Sequence, residues 1–464
     1  MLTVIAAAIA TAFPSASPAD PQPVATVPAQ PELAGAPAPL PSRSQEVAHP
    51  SRKPSPPGTN VPITANPRLF GDWGGVLPKL SARGIVPTLS VVGEFGADAA
   101  GAPRHDATLV WQINAGITAD LRKTMGLPGM FQATITKRDG PLLDRQIGVN
   151  LLQFSQGTFG RGRIWRLTAA FWQDRIGPID LKLGRVAPGD DFNAGRGDFM
   201  SLYLVGSATG HIAHNLWYNF PVSQWGGRAL INVAPDKILA VGLYQVDPRN
   251  IDPEVGFSLR TNGGIGILLP VEARFVNPLG KARPGIVKAG FFYSNAKLPD
   301  IAFDTDGRPQ VLGKLPRAID NRHWGVFGNV QQTLIPPRPD GSGAVSTFVN
   351  ATWTTSGAST MYGKLGAGIA ATGLIPSRPV DELAVGIGLG RINDHLTRLD
   401  EALCDMGRTT LAPRRSEQMV EVYYGFNVRK GLVVRPNMQL WRHPGGHPDA
   451  RPLVIVGAKT VANF

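Results

Sequence analysis

The stretch Thr108–Leu121 reads T-L-V-W-Q-I-N-A-G-I-T-A-D-L and alternates between apolar and polar side chains over fourteen residues. Its odd positions are apolar, and its even positions include Gln112, Asn114, Thr118 and Asp120. A period of two places alternate side chains on opposite faces of a β-strand. Strands of soluble sheets are usually about 5–6 residues long, whereas a tilted strand that crosses a membrane needs about 9–11. The length of this pattern therefore favours a membrane-spanning strand.

The same alternation recurs in five further segments: Trp165–Asp174, Ile286–Tyr293, Val345–Thr354, Val420–Arg429 and Leu432–Arg442. In the first of them, the predicted apolar face comprises Trp165, Leu167, Ala169 and Phe171. All segments of this kind together give 16 candidate strands, which begin near residues 87, 107, 129, 164, 178, 227, 238, 265, 286, 322, 344, 361, 382, 418, 432 and 453. An even strand number is typical of a single-chain bacterial barrel. We therefore predict an all-β fold, a sixteen-stranded antiparallel transmembrane β-barrel, over residues 67–464.

The last twelve residues, Leu453–Phe464, alternate in the same way. One face carries no charge and ends on Phe464, and the other carries Lys459 and Asn463. By itself this segment also fits an ordinary half-buried strand. In a barrel, the final strand must close against the first and present its uncharged face to lipid. We expect this segment to be that strand.

The composition limits the class of protein. The chain has 464 residues, with 54 glycines, 42 prolines and 17% charged residues, which is below the soluble average of about 25%. No apolar run reaches the roughly 18 residues that a transmembrane helix needs. The lone Cys404 excludes a disulfide framework and a thiolate metal site. A sheet protein with many turns fits these features.

The first 66 residues are predicted to lie outside the barrel. Residues 2–13 are apolar and Ser17-Pro18-Ala19 offers small residues for cleavage, so we predict a signal peptide over residues 1–19, although its basic start is missing. Residues 20–66 contain 12 prolines among 47 residues. Such a stretch cannot bury a core, so we predict a disordered extension there.

The net charge of +12 lies entirely in residues 67–464, which hold 43 basic and 31 acidic side chains. Nucleic acid, anionic lipid headgroups and an anion-tolerant pore could each explain such an excess. The chain has no basic helix, finger motif or Lys/Arg run, so nucleic acid is the least favoured partner. For a pore, the excess predicts a weak preference for anions.

Several segments in a fixed order resemble the carbohydrate-selective porin family, the OprB-like outer-membrane porins. They are G-D-W-G-G at 71–75, L-x-x-R-G-I at 80–85, W-R-L-T-A-A-F-W-Q-D-R-I-G-P-I-D-L-K-L-G-R at 165–185 with G-D-D-F at 189–192, P-G-I-V-K-A-G-F-F-Y at 284–293, V-E-V-Y-Y-G-F at 420–426 and P-G-G at 444–446. The resemblance spans about residues 67–464. It implies a sixteen-stranded porin that passes sugars across the outer membrane of a Gram-negative bacterium. Thr460 and Ala462 depart from it, because aromatic residues often stand at such positions.

A diffusion pore needs a polar wall, a constriction and a charge pattern, but no catalytic group, metal or cofactor. The alternation predicts these charged pore-lining candidates: Glu94, Arg166, Lys182, Arg185, Lys288, Glu421, Arg429, Arg435 and Lys459. The stretch Pro188–Gln224 is too long for a hairpin turn. We expect it to fold partly inward, with Asp190, Asp191 and Arg196 near the narrowest point. An outward loop, and charges that merely pair to fill the barrel, remain alternatives.

Two other classes of protein stay open at this stage: an outer-membrane barrel enzyme and a secreted sheet protein that binds glycans. No Ser/His or paired-carboxylate arrangement has a recognisable spacing, so we predict no enzyme. Two histidine pairs, His211/His214 and His443/His447, have no thiolate or carboxylate with them to complete a metal site. We therefore predict no metal and no cofactor. The expected partners are sugars as transported solutes, outer-membrane lipid and the barrel assembly machinery, with the protein a monomer or a homotrimer.

Overall fold

The structure is a computed structural model that describes residues 68–313 and 315–464. The signal peptide and the proline-rich extension predicted for residues 1–19 and 20–66 lie outside the described residues. Within the described residues, eighteen strands follow one another along the chain: β1 Ile85–Ala100, β2 Ala107–Asp120, β3 Met130–Asp139, β4 Trp165–Ile176, β5 Ile179–Val186, β6 Gln224–Ala234, β7 Lys237–Val246, β8 Gly266–Val276, β9 Gly285–Ser294, β10 Leu298–Asp304, β11 Arg317–Asp320, β12 His323–Ile335, β13 Val345–Thr354, β14 Met361–Thr372, β15 Glu382–Ile392, β16 Ser416–Arg429, β17 Leu432–Arg442 and β18 Leu453–Asn463.

Sixteen of these strands form one closed antiparallel barrel. Each pairs with its neighbour in the chain, except that β9 pairs directly with β12 because β10 and β11 form a separate two-stranded sheet. β18 closes the barrel against β1, with the register running from Ser90 opposite Asn463 to Ala97 opposite Val456. The predicted sixteen-stranded barrel is confirmed, and each predicted strand start lies within three residues of the observed one. The small β10–β11 sheet was not predicted.

The two faces of the barrel wall differ in polarity, as the alternation predicts. The outer face carries exposed apolar side chains such as Leu109 and Ile387, and the inner face carries buried polar ones such as Gln112 and Glu421. An apolar outer band is what lipid requires of a membrane barrel.

Strand β4 departs from the predicted alternation. Thr134 pairs with Ala169 and Ile135 with Leu167, so Thr168 is an extra residue in a β-bulge. Such a bulge shifts the following side chains to the other face. Ala169 and Phe171 are therefore buried inside, in an apolar cluster that includes Trp217. The prediction that they share the outer face with Trp165 is wrong, because a bulge leaves no mark in the alternation.

The connections at the two ends of the barrel differ in length. One end has tight turns, at residues 177–178, 235–236 and 430–431, and the other has the long connections 140–164, 187–223, 295–322 and 393–415. In outer-membrane barrels, short turns face the periplasm and long loops face the outside. Short helices lie mostly in these connections: α1 Val76–Ala82, α2 Leu121–Met125, α3 Leu143–Gln146, α4 Pro188–Asp191, α5 Ala208–Ile212 and α6 Asp394–Asp405. None of the described helices is long and apolar enough to cross a membrane.

Two of the long connections, residues 140–164 and 187–223, pack against the inner wall. The largest apolar cluster of the described residues joins Leu143 and Phe154 from the first, Phe199 and Tyr203 from the second, and wall residues such as Trp441. The apolar core of this protein therefore lies inside the barrel, between the wall and these two connections. We call residues 187–223 the inward segment.

Candidate functional site

Lysine side chains of the wall hold the main chain of the inward segment. Lys288 of β9 donates to the Ala194 carbonyl at 3.2 Å, and Lys459 of β18 donates to the Phe199 carbonyl at 2.7 Å. Lys364 of β14 donates to the Leu202 carbonyl at 2.8 Å. Because these strands stand far apart around the barrel, the segment reaches across the lumen.

Carboxylates of the wall hold the same main chain through its N–H groups. Glu272 of β8 accepts a hydrogen bond from the backbone N–H of Asn193 at 2.6 Å. Glu421 of β16 accepts from the amides of Met200 and Ser201 at 2.7 and 2.8 Å. Hydrogen bonds to a charged group are stronger than those between neutral groups. The backbone of the segment is thus fixed by charges of both signs.

Residues 140–164 and the neighbouring loop after β17 are fixed by the same means. Glu94 of β1 accepts from the Thr158 amide at 2.8 Å. Glu417 of β16 accepts from the amides of Leu152 and Gly445 at 3.0 and 2.7 Å. Wall carboxylates therefore hold residues 140–164 and the loop after β17, as they hold the inward segment.

Arg196 joins the segment to the wall through a charged network. Its guanidinium lies 2.9 Å from Asp198 and 3.0 Å from Glu382 of β15. Asp198 in turn lies 3.0 Å from Arg435 of β17. Burial opposes ionisation of Asp198, but the two arginines outweigh it and hold the pKa of this carboxyl below its ordinary value. Two of the predicted residues, Arg196 and Arg435, are brought together by an aspartate that was not predicted.

A second charged group surrounds α4. Asp191 lies 2.6 Å from Lys182 and 3.3 Å from Arg228, and its backbone carbonyl accepts from Arg274. Burial opposes ionisation, yet the cationic neighbours, led by Lys182 and Arg228, lower the pKa of Asp191.

Asp190 is paired with none of these cations in the part of the chain that the structure describes. Enclosure and the adjacent Asp191 carboxylate raise the pKa of Asp190 to about 7, against the opposing influence of Lys182. The Asp190 residue is nevertheless exposed, so water moderates the effect of enclosure and the charge of Asp191 is the firmer cause.

The other predicted residues lie in different surroundings. Arg166 donates to four backbone carbonyls, those of Arg161, Asn250, Asp252 and Val255. Arg185 donates to Ser223 and Asn250. Glu94 forms an ion pair with Lys459 across the barrel closure, at 3.1 Å. Arg429 lies apart from these groups, exposed at the end of β16 and 3.4 Å from the Leu69 carbonyl.

Sequence reasoning missed several residues of these networks. Glu272 and Arg274 of β8 and Lys364 of β14 stand at alternate, inward positions of their strands, so a closer reading of the period could have found them. Glu382 likewise stands in phase with the inward positions Ala384 and Gly386 of β15, whereas Asp198 gave no such signal. Asp198 lies in a connection without periodicity, and its partner Arg435 is 237 residues away.

A narrow cleft separates the inward segment from strands β12, β13 and β14. Polar side chains and two aromatic rings line it: Asn329, Gln331, Asn350, Arg196, Lys364, Tyr203 and Phe348. Amides, charges and ring faces are groups that bind sugar hydroxyls and sugar rings. Among the residues that the structure describes, no group of three or more His, Cys, Asp or Glu side chains is arranged to hold a metal ion.

Comparison with known proteins gives a consistent result. The model of the family "Carbohydrate-selective porin, OprB family" matches residues 104–464. Porin B of Pseudomonas aeruginosa is 33% identical over 415 residues, which cover 85% of this chain and 91% of that protein. The putative porin QuiX of Acinetobacter baylyi is 27% identical over 421 residues, covering 85% of this chain and 93% of that one. The high-pH structure of Pseudomonas putida OprB superposes with a TM-score of 0.81 at 30% identity, covering 86% of this chain and 98% of that one.

Proposed function

We infer the details of transport from one premise: the chain belongs to the carbohydrate-selective porin, OprB family, and is an outer-membrane channel for carbohydrates in a Gram-negative bacterium. It is a channel, and we propose that it catalyses no reaction. The details are the size of the solute, the position of the constriction and the ion preference. We propose that monosaccharides or short oligosaccharides diffuse through the lumen past the inward segment.

The attachment of the inward segment carries this proposal. Its main chain is held by Lys288, Lys364 and Lys459 and by two wall carboxylates. A segment fixed at several points around the barrel narrows the lumen, and the polar passage for sugars is proposed to run beside it. Sugars cross such a passage when they exchange water for side-chain hydrogen bonds and bind weakly enough to leave again.

The constriction is proposed to lie between the two charged groups of the segment. Asp190, Asp191 and Lys182 form one side, and Arg196 with Arg435 forms the other. Such opposed charges form hydrogen bonds with the hydroxyl groups of neutral sugars. They attract or repel charged solutes according to the sign of the solute. Arg166 and Arg185 support neighbouring loops in this proposal, and Arg429 lies outside the constriction.

For small ions, we propose a weak preference for anions. It is supported by the excess of basic over acidic side chains in residues 67–464, 43 against 31. Most of the described lumen charges are paired, so the excess acts through the average potential of the pore rather than through one free site.

The partners beyond sugars and lipid are also proposals. The uncharged face of the final strand β18 suits recognition by the barrel assembly machinery. The protein is proposed to be a monomer or a homotrimer, and the mass of the detergent-solubilised protein, corrected for bound detergent, distinguishes these two states.

Proteoliposome swelling tests the proposed solute range. Vesicles that contain the protein should swell quickly in monosaccharides and progressively more slowly as the sugar grows to a trisaccharide or longer. Vesicles without protein are the control. Swelling that does not depend on sugar size, or that fails for every sugar, would contradict the proposal.

A further inference from the structure

Two amide side chains lie next to each other on the inner face of the barrel wall, in the cleft beside the inward segment. Asn329 of β12 and Asn350 of β13 are direct partners in the strand register. Both line the cleft, and they are only 1% and 8% exposed. Side chains that are directly opposite in an antiparallel pair have Cβ atoms about 4.5–5.5 Å apart. The two amides are thus near enough to bind one bridging group.

Each amide has one polar atom without a hydrogen-bond partner among the described residues. Oδ1 of Asn329 accepts from Gln331 at 3.3 Å, and its Nδ2 is left as a donor. Nδ2 of Asn350 donates to the carbonyls of Asn193 and Gly206 at 3.3 and 3.0 Å, and its Oδ1 is left as an acceptor. Buried polar atoms are nearly always paired, so this donor and this acceptor call for a partner.

The size and the polarity of the cleft define that partner. The cleft has room for about one water-sized group. A hydroxyl group is of this size and is both a donor and an acceptor. Its oxygen accepts from Nδ2 of Asn329, and its hydrogen is donated to Oδ1 of Asn350. A simple cation lacks the acceptor, a simple anion lacks the donor and a methyl group lacks both.

We propose that Asn329 and Asn350 form a hydroxyl-recognition site, in which one hydroxyl of a passing sugar displaces a bound water. The proposal rests on the proposed function and names the contact by which the pore recognises its solute. A hydroxyl that replaces a water gains little net energy, so the sugar is released readily.

The variant Asn329→Leu tests the site, because Leu keeps the size of the side chain and removes both amide atoms. Asn329 is chosen over Asn350, since the latter also holds the main chain of the inward segment. Binding is measured as block of the ion current by D-glucose and by its monodeoxy derivatives. Wild-type protein should bind one derivative about 2- to 10-fold more weakly than glucose, as expected for one lost neutral hydrogen bond. In the variant, glucose should fall to the affinity of that derivative, and the difference between the two sugars should vanish.

The matched control is Asn437→Leu, which removes a buried amide of β17 that also has an unpartnered Oδ1 and lies outside the cleft. It should keep the affinity for glucose and the discrimination between the sugars. Assembly of each variant is checked by heat-modifiable migration in gels, and Asn329→Ala provides the same readout if the leucine variant does not assemble.

Unchanged affinity and discrimination in the Asn329 variants would show that the amides hold water only, and an equal loss in the Asn437 control would show a non-specific effect. Either result overturns the site and leaves the proposed function standing. If wild-type protein passes no sugar in vesicle swelling, the proposed function fails together with the site.

Discussion

Glu94 in the first strand and Lys459 in the last form an ion pair across the closure of the barrel, with 3.1 Å between Oε1 and Nζ. Both side chains are almost fully buried. The pair also fixes the two connections inside, because Glu94 accepts from the Thr158 amide and Lys459 donates to the Phe199 carbonyl.

Replacing Lys459 with Met should destabilise the barrel by about 3–5 kcal/mol, since it leaves the Glu94 carboxylate buried without its charge partner. The free energy of unfolding is measured by urea titration in detergent. Lys430→Met, at an exposed turn residue, is the control and should have an effect near zero. Equal stability of the two variants would contradict a structural role for the pair.

Replacing Ile387 with Arg should cost about 2–4 kcal/mol, because this side chain points outward at the middle of β15, where the bilayer midplane is expected. Ile387 is 51% exposed and pairs with Ala367 and Val420. Unfolding in lipid vesicles gives the free energy. The same replacement at Val428, near the short-turn end of β16, should cost much less, and equal costs at both positions would place the membrane band elsewhere.

Deleting residues 194–212 of the inward segment should raise the single-channel ion conductance and reduce the discrimination between small and large sugars. The deletion removes the Arg196 network and the backbone contacts of Lys288 and Lys459. The control is a deletion in a different connection, residues 306–313 between β10 and β11. It should leave the conductance unchanged. An assembled barrel with unchanged conductance would show that the segment does not limit the flow.

Replacing Lys182 and Arg435 with Gln should shift the reversal potential in a salt gradient toward cations, because Asp191 and Asp198 each lose a cationic neighbour. Arg166 is not included, since its four backbone contacts give it a role in loop structure. A strong cation preference of the wild-type pore, or no shift in the variant, would contradict the proposed anion preference.

The preference for anions should increase as the pH falls from 8 to 5. Enclosure and the neighbouring Asp191 carboxylate raise the pKa of Asp190 above its ordinary value, so this carboxyl takes up a proton at a higher pH than an ordinary aspartate does. Its protonation removes a negative charge from the lumen. Reversal potentials measured across this range should show the change in wild-type protein and a smaller change in Asp190→Asn. A pH response that persists in full in that variant must come from another group.

The sequence predicted the barrel more completely than the site, for a physical reason. A strand in a barrel wall must alternate, so each strand start could be located within three residues. The contacts of the lumen join residues that have no common period. Arg196 and Glu382 are 186 residues apart, and neither position indicates the other. The bulge at Thr168 shows the same limit inside a strand, because one extra residue reverses the faces of Ala169 and Phe171.

The wall charges hold backbone atoms of the inward segment, and this has an evolutionary consequence. A peptide N–H or carbonyl is present at every non-proline position, whatever side chain the residue carries. Mutations in residues such as Ala194, Phe199 or Leu202 therefore leave their contacts with Lys288, Lys459 and Lys364 in place. The polar attachment of the segment is therefore inherited with the charges of the wall, whatever side chains the segment carries at these positions.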